Sequence, residues 1–234
     1  EEIPLNQQAL MDQLCLEKQR NDLIEVADSI SECANSYGPY RFVVFHRIQY
    51  LLSSWGVSIK IFGSCATGLA LANSDIDLAV DPSILSYYYH NFAGPKEKVC
   101  MALNFINRLI ETRSWISNIK LIATAAVPIL KFVRTRVTVE INPNIPFEEA
   151  PKDPYLNTKD KEKQRKVTIK VDLTIESFYA NDDSSSINHL GIMATNNMKE
   201  WMSAYPSLHT VSIVLKDLLK RRDLNNIYKG TNSN

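Results

Sequence analysis

Apolar side chains recur at helical spacing over residues 5–34, where Leu5, Leu10, Leu14, Leu16, Leu23, Ile24, Ala27 and Ile30 stand among polar neighbours. The pattern predicts one or two amphipathic helices. Ser36-Tyr37-Gly38-Pro39 interrupts it, and a second helix is expected over about 40–55, with Phe42, Val43, Phe45, Ile48, Leu51 and Leu52 as its apolar side and Gly56 as its C-terminal cap. His46 on that helix has no acid or thiol at ligand spacing and reads as structural or exposed. Residues 57–62 alternate as a strand, and 76–80 form a second strand that ends at Asp81-Pro82. Pro95 then opens an amphipathic helix carrying Val99, Leu103, Ile106, Leu109 and Ile110.

Further strands are expected at about 119–127, 127–133 and 137–141, with Pro128 at a strand start or bulge. Alternation returns in Val167, Ile169, Val171, Leu173 and Ile175, which leaves Thr168, Lys170, Asp172, Thr174 and Glu176 on the opposite face. A polar linker at 181–186 precedes helices at 187–204 and about 206–222. The last of these carries Leu208, Val211, Val214, Leu215, Leu218 and Leu219 as a stripe, with Lys216 and Lys220 one turn apart on another side.

The stretch 61–78 carries the chemistry. A strand ending at Gly63-Ser64 and passing into a helix start presents free N–H groups, a corner suited to phosphate. Asp75 and Asp77 follow, two residues apart, so on a strand both carboxylates share a face while Ile76 and Leu78 enter the core. Two acids beside a phosphate cradle imply a divalent metal, Mg²⁺ above all, held by the carboxylates and by the phosphates of the substrate.

Composition narrows the partners without naming them. The chain has 234 residues, 45% hydrophobic and 22% charged, enough for one sizeable core or two small ones. Lys plus Arg and Asp plus Glu both number 26, so the formal net charge is 0 and any nucleic-acid contact rests on local basic patches. Cys15, Cys33, Cys65 and Cys100 show no metal-binding spacing, and neither disulfides nor zinc are expected. Cys65 follows the phosphate corner, where a helix dipole would lower a thiol pKa, although a small-residue role fits as well. No apolar run is long enough to span a membrane, and Glu1-Glu2 lacks a basic leader, so a soluble intracellular protein of nucleus or cytoplasm is expected.

The ordered string Gly63-Ser64, Thr67-Gly68-Leu69 and Ser74-Asp75-Ile76-Asp77 resembles the noncanonical poly(A) polymerases and terminal uridylyltransferases, within the DNA polymerase beta-like nucleotidyltransferase superfamily. The likeness extends discontinuously from about residue 57 to 230, through Ala126-Val127-Pro128-Ile129-Leu130-Lys131-Phe132 and through Ile213-Val214-Leu215-Lys216 with Lys220-Arg221-Arg222. It implies an α+β fold, a mixed and mostly antiparallel sheet with helices on one side, plus part of a helical central domain. The implied activity is template-independent addition of AMP or UMP from ATP or UTP to an RNA 3′ end, with two Mg²⁺ ions and Mn²⁺ as the alternative. The resemblance also implies the roles. Asp75 and Asp77 hold the triphosphate-bound metal and share the second, and Asp172 ligates the second and helps to deprotonate the 3′-hydroxyl. Gly63, Ser64, Lys216 and Lys220 face the triphosphate, Asn188 and Thr195 the nucleoside. From the residues alone, Asp172 is an acid on a polar strand face beside Lys170 and Glu176, with Glu140 as its rival. Transfer to a protein or small molecule, or a scaffold subunit of an RNA-processing complex, remain the alternative readings.

Three units are expected: N-terminal helices at 1–55, within or against the helical domain; a catalytic domain at 56–180; and the start of a helical central domain at 187–234. A base-stacking Ser-Tyr motif would follow Gly230, and the chain stops at Asn234 before it, so the choice of base is not readable. An insertion at 142–166 carries Lys159, Lys161, Lys163, Arg165 and Lys166 among Pro and Asn. It is expected to be a solvated hairpin tip or a contact for the RNA backbone or an acidic partner.

Overall fold

The structure is a computed structural model that describes residues 5–84, 94–125, 127–137, 167–179, 186–188 and 190–224. Glu140, the insertion at 142–166 and the segment after Leu224 lie outside the described residues.

A five-stranded sheet is ordered β1-β2-β5-β4-β3, formed by Ile59–Phe62 (β1), Ile76–Val80 (β2), Ile116–Ile122 (β3), Ile129–Val137 (β4) and Val167–Ile175 (β5). Only β2 and β5 run parallel; the other neighbouring pairs are antiparallel, as expected for this fold. Period-2 alternation decides which face is covered. Val167, Ile169, Val171, Leu173 and Ile175 of β5 are buried, as are Ile76 and Leu78 of β2 and Leu130 and Phe132 of β4. They meet α2 (Gly38–Ser53) through Val44, Ile48 and Leu52, and α4 (Pro95–Glu111) through Val99, Leu103, Ile106 and Ile110. Two helices therefore cover one face, and the odd-numbered members of β2 and the even-numbered members of β5 are left on the other. His46 is exposed and packs against the rings of Phe42 and Phe45, in keeping with the structural or exposed place expected for it.

Residues 5–34 become one helix, α1 (Leu5–Asn35), rather than two. Its first half exposes Leu10, Met11, Leu14 and Leu16, while Ala27 and Ile30 join Leu69, Leu71 and Ile213 in a second small core. That core also takes Met198 and Met202 of α5 (Leu190–Ala204) and Val214 of α6 (Ser207–Arg221).

Several boundaries differ from the sequence expectation. The strand placed at 119–127 runs over Ile116–Ile122, with Asn118 at φ +54 where its register with β4 slips. The strand expected at 127–133 continues to Val137, because its pairing with β5 carries on through a register shift after Arg134. The helix expected from 187 begins at Leu190: Ser186–Asn188 (β7) instead pairs with Ser177–Tyr179 (β6), so strand pairing claims residues that helical spacing had suggested.

Candidate active site

At the end of β1 the chain turns sharply into a five-residue helix, α3 (Gly63–Thr67). Gly63 sits at φ +67, a left-handed conformation that disfavours any residue with a Cβ. A Cβ there would overlap Asp77 Oδ2 and come within 3.0 Å of its Cγ. The glycine thus lets the Asp77 carboxylate lie directly against the corner.

Strand register assembles the rest. Phe62 is the partner of Asp77, Asp77 of Asp172 on the parallel strand β5, and Asp172 of Lys131 on β4. Register partners on neighbouring strands project from the same face. Asp77, Asp172 and Lys131 therefore form a row on the face opposite α2 and α4, with Asp75 one residue before β2. Lys131 Nζ forms an ion pair with Asp172 Oδ2.

Burial pushes the Asp77 carboxyl up from the ordinary 3.8 to about 6, and the nearby charges of Asp172 and Asp75 push in the same direction. Folded protein then binds this proton more tightly than unfolded chain does. The associated stabilisation is complete below pH 4 and is lost as the pH rises through 6, an effect of about 3 kcal/mol at most. In chelator-treated protein, Asp77→Asn should therefore unfold at a higher temperature than wild type at pH 8, and the advantage should vanish at pH 4. Thermal melts across that range check it; an equal difference at both ends would mean that the carboxylate does not carry this strain.

Among the described residues, no three His, Cys, Asp or Glu side chains converge closely enough to hold one ion as they stand, with Asp172 turned onto Lys131. The donor set nevertheless suits a divalent cation. Asp75, Asp77 and Asp172 supply hard oxygen ligands, and the mutual repulsion that raises Asp77 is relieved by added positive charge.

The loop between the corner and the acids, residues 68–74, is gripped from α6. Lys216 Nζ donates to the Leu69 carbonyl at 2.8 Å, Lys220 Nζ donates to Asn73 Oδ1, and His209 Nε2 lies 3.3 Å from the Gly68 carbonyl oxygen. Burial lowers the pKa of both lysines, most directly for the half-buried Lys216. Within the loop, Leu71 N–H donates to Ser74 Oγ at 2.9 Å.

Thr195 is buried on α5; its hydroxyl accepts from the Gly63 N–H at 2.8 Å and donates to the Gly191 carbonyl at 2.7 Å. It thus sits on the corner itself. Asn188 ends β7 opposite Ser177. Ser64 lies in the first turn of α3, whose N–H groups have no partner within the helix. Burial raises the Cys65 thiol pKa, against the lowering that a helix dipole would give; α3 is only five residues long.

Two charged residues of this region escaped the sequence reading. Lys131 lay in a noted motif, and only strand register sets it beside Asp172. Arg41 stood as a lone charge inside an apolar run, which was the one available signal, and it is buried there.

A mixed five-stranded sheet that sets an Asp pair and a third Asp on its open face, beside a Gly-Ser corner, defines a nucleotidyltransferase palm. Residues 19–148, more than half the chain, match the family described as poly(A) RNA polymerase, mitochondrial-like, central palm domain, and the chain belongs to that family. It is 25% identical over 213 residues to poly(A) RNA polymerase cid14 of Schizosaccharomyces pombe, covering 89% of this chain and 23% of that protein. Two solved structures share the fold. The noncanonical poly(A) polymerase complex GLD-2–GLD-3 aligns with TM-score 0.54 at 17% identity, over 88% of this chain and 52% of the other. RNA editing TUTase 1 from Trypanosoma brucei, in complex with UTP, aligns with TM-score 0.52 at 16% identity, over 95% and 59%. The chain thus spans about a quarter of the curated relative and little more than half of these structures. Nucleotidyltransferases of this family normally use divalent metals. Among the described residues, no helix is long and apolar enough to cross a membrane.

Proposed function

We propose that this chain is the catalytic part of an RNA 3′-terminal nucleotidyltransferase that adds AMP or UMP from ATP or UTP without a template. The observation that supports this most strongly is the register that sets Asp77 against Asp172 on parallel strands, directly beside Gly63. Asp75 and Asp77 would hold the nucleotide-side divalent ion and share the second with Asp172. When bound, Mg²⁺ ions, or Mn²⁺ in their place, supply Lewis-acid stabilisation of the attacking and leaving oxygens. The carboxylate of Asp172, once released from Lys131, would take up the proton of the RNA 3′-hydroxyl. Ser64 offers its N–H and hydroxyl to the β- and γ-phosphates. Gly63 allows the close approach, its own N–H being held by Thr195. Asn188 and Thr195 would contact the nucleoside, Thr195 from its place on the Gly63 N–H. Lys216 and Lys220 can exchange their loop partners for triphosphate oxygens.

On this reading residues 56–180 are the catalytic unit and 187–234 begin a helical domain that closes the cleft; of the helices at 1–55, α1 packs with that helical part and α2 on the sheet. RNA-processing proteins are its natural partners inside the cell, in nucleus or cytoplasm. The test is extension of a labelled oligoribonucleotide by the full-length protein with each of the four NTPs, with and without Mg²⁺; no extension with any of them removes the proposal. Lys216→Ala and Lys220→Ala should each weaken NTP binding about tenfold, the loss of one charge-assisted contact, with RNA affinity little changed. Separate titrations of nucleotide and RNA decide this, and loss of RNA affinity alone would place these lysines elsewhere.

A further inference from the structure

Arg41 is a buried guanidinium on α2, at 9% exposure, and among the described residues no carboxylate pairs with it. Burying a charge is costly unless its donors are met. Here the two terminal nitrogens are met by backbone: Nη2 donates to the carbonyls of Leu71 and Ala72, the latter at 3.0 Å, and Nη1 to that of Ala34 at the end of α1, at 3.3 Å, while the buried Nε has no hydrogen-bond partner and the Tyr37 ring lies 5.9 Å from the guanidinium carbon. Leu71 is thereby held at both ends, since its N–H is already on Ser74 Oγ.

Three cations grip loop 68–74, and they are not equivalent. Lys216 and Lys220 reach it from α6 by single flexible ammonium groups, and the partner of Lys220, Asn73, is exposed. Arg41 reaches it from α2, which is seated in the main core, with a planar group whose Nη2 serves two successive loop carbonyls while Nη1 holds the Ala34 carbonyl of α1. We propose that Arg41 is a positioning residue for nucleotide capture: it keeps loop 68–74, and with it Asp75, in place when Lys216 and Lys220 leave the loop for the triphosphate. This rests on the nucleotidyltransferase reading above. The uncompensated charge also adds to the positive field at the pocket, since Arg41 acts on Cys65, Lys216 and Lys220 in the direction expected of a nearby cation.

The test uses the full-length protein with Arg41→Met, Arg41→Lys and Arg41→Ala. Amide hydrogen exchange over 68–75 in nucleotide-free protein should rise modestly in Arg41→Met, where the lysines still hold the loop, and much further once ATP or UTP with Mg²⁺ is bound. The wild type should instead stay protected in both states. NTP affinity should fall at least about tenfold, as misplacement of a binding group implies, with RNA affinity unchanged. Arg41→Lys should not restore it, because one ammonium nitrogen cannot stand both at the Leu71 and Ala72 carbonyls and at that of Ala34, whereas millimolar methylguanidinium should partly restore Arg41→Ala and ammonium should not. If Arg41→Met melts lower yet keeps wild-type NTP affinity and wild-type exchange over 68–75, Arg41 is only a core residue and the proposal falls. If wild type binds no NTP, the enzymatic reading fails first, and unchanged exchange in the variant would then remove the loop anchor as well.

Discussion

Asp75→Asn and Asp77→Asn in the full-length protein should each reduce RNA extension by at least about 10³-fold, roughly 4 kcal/mol of transition-state stabilisation, with the fold retained. Each amide keeps the size of the carboxylate and removes the charge that a divalent ion needs. Asp172→Asn should do the same, and its pairing with Lys131 supplies a control: freed from Asp172, Lys131 has no acid opposite it in the row, so salt-dependent RNA binding can change while the melting temperature hardly does. Single-turnover extension at saturating Mg²⁺ is the measurement. Any of the three variants that turns over at the wild-type rate does not have the proposed role. For Asp77→Asn, greater stability of the metal-free protein at pH 8, together with lost activity, would separate a catalytic defect from a folding one.

Gly63→Ala should be nearly as damaging through different physics. At φ +67 a side chain costs about 1–2 kcal/mol in backbone strain. The added methyl must also displace the Asp77 carboxylate that lies against the corner. A shift of that kind is expected to cost about 10²-fold in rate, while the melting temperature falls only by the few degrees that the strain implies. Thr195→Val is the informative companion: it removes the hydroxyl that holds the Gly63 N–H without adding bulk at the acids. If Gly63→Ala leaves turnover intact, the corner yields easily and Asp77 does not depend on it.

Local features of this site were legible because they depend on neighbours in the chain. Gly63-Ser64 after an alternating run, and Asp75 and Asp77 at a spacing of two, announce a turn and a shared strand face without further information. The strand holding Asp172 was equally clear, since Val167, Ile169, Val171, Leu173 and Ile175 alternate without a break and are buried in the fold. The contacts that join these pieces were not legible. The pairing of Ser186–Asn188 with Ser177–Tyr179 overrode a helical pattern because backbone groups there found partners on another strand, which no periodicity reports. Lys131 and Arg41 are chemically informative only through what they face, across 41 and 30 residues of chain.

The sequence by itself determined the covered face of the sheet, the corner and the Asp pair, and through its motifs the family, because each of these is written in residue types at short, regular spacing. Tertiary structure alone decided that β5 enters beside β2 in parallel and in the register that brings Asp172 to Asp77, that α6 turns Lys216 and Lys220 onto loop 68–74, and that α2 anchors the same loop through Arg41. The physical reason is that register and docking are set by burying whole faces together. A slip of one residue along β5 would have kept the same local pattern while sending Asp172 into the core and Leu173 to the open side.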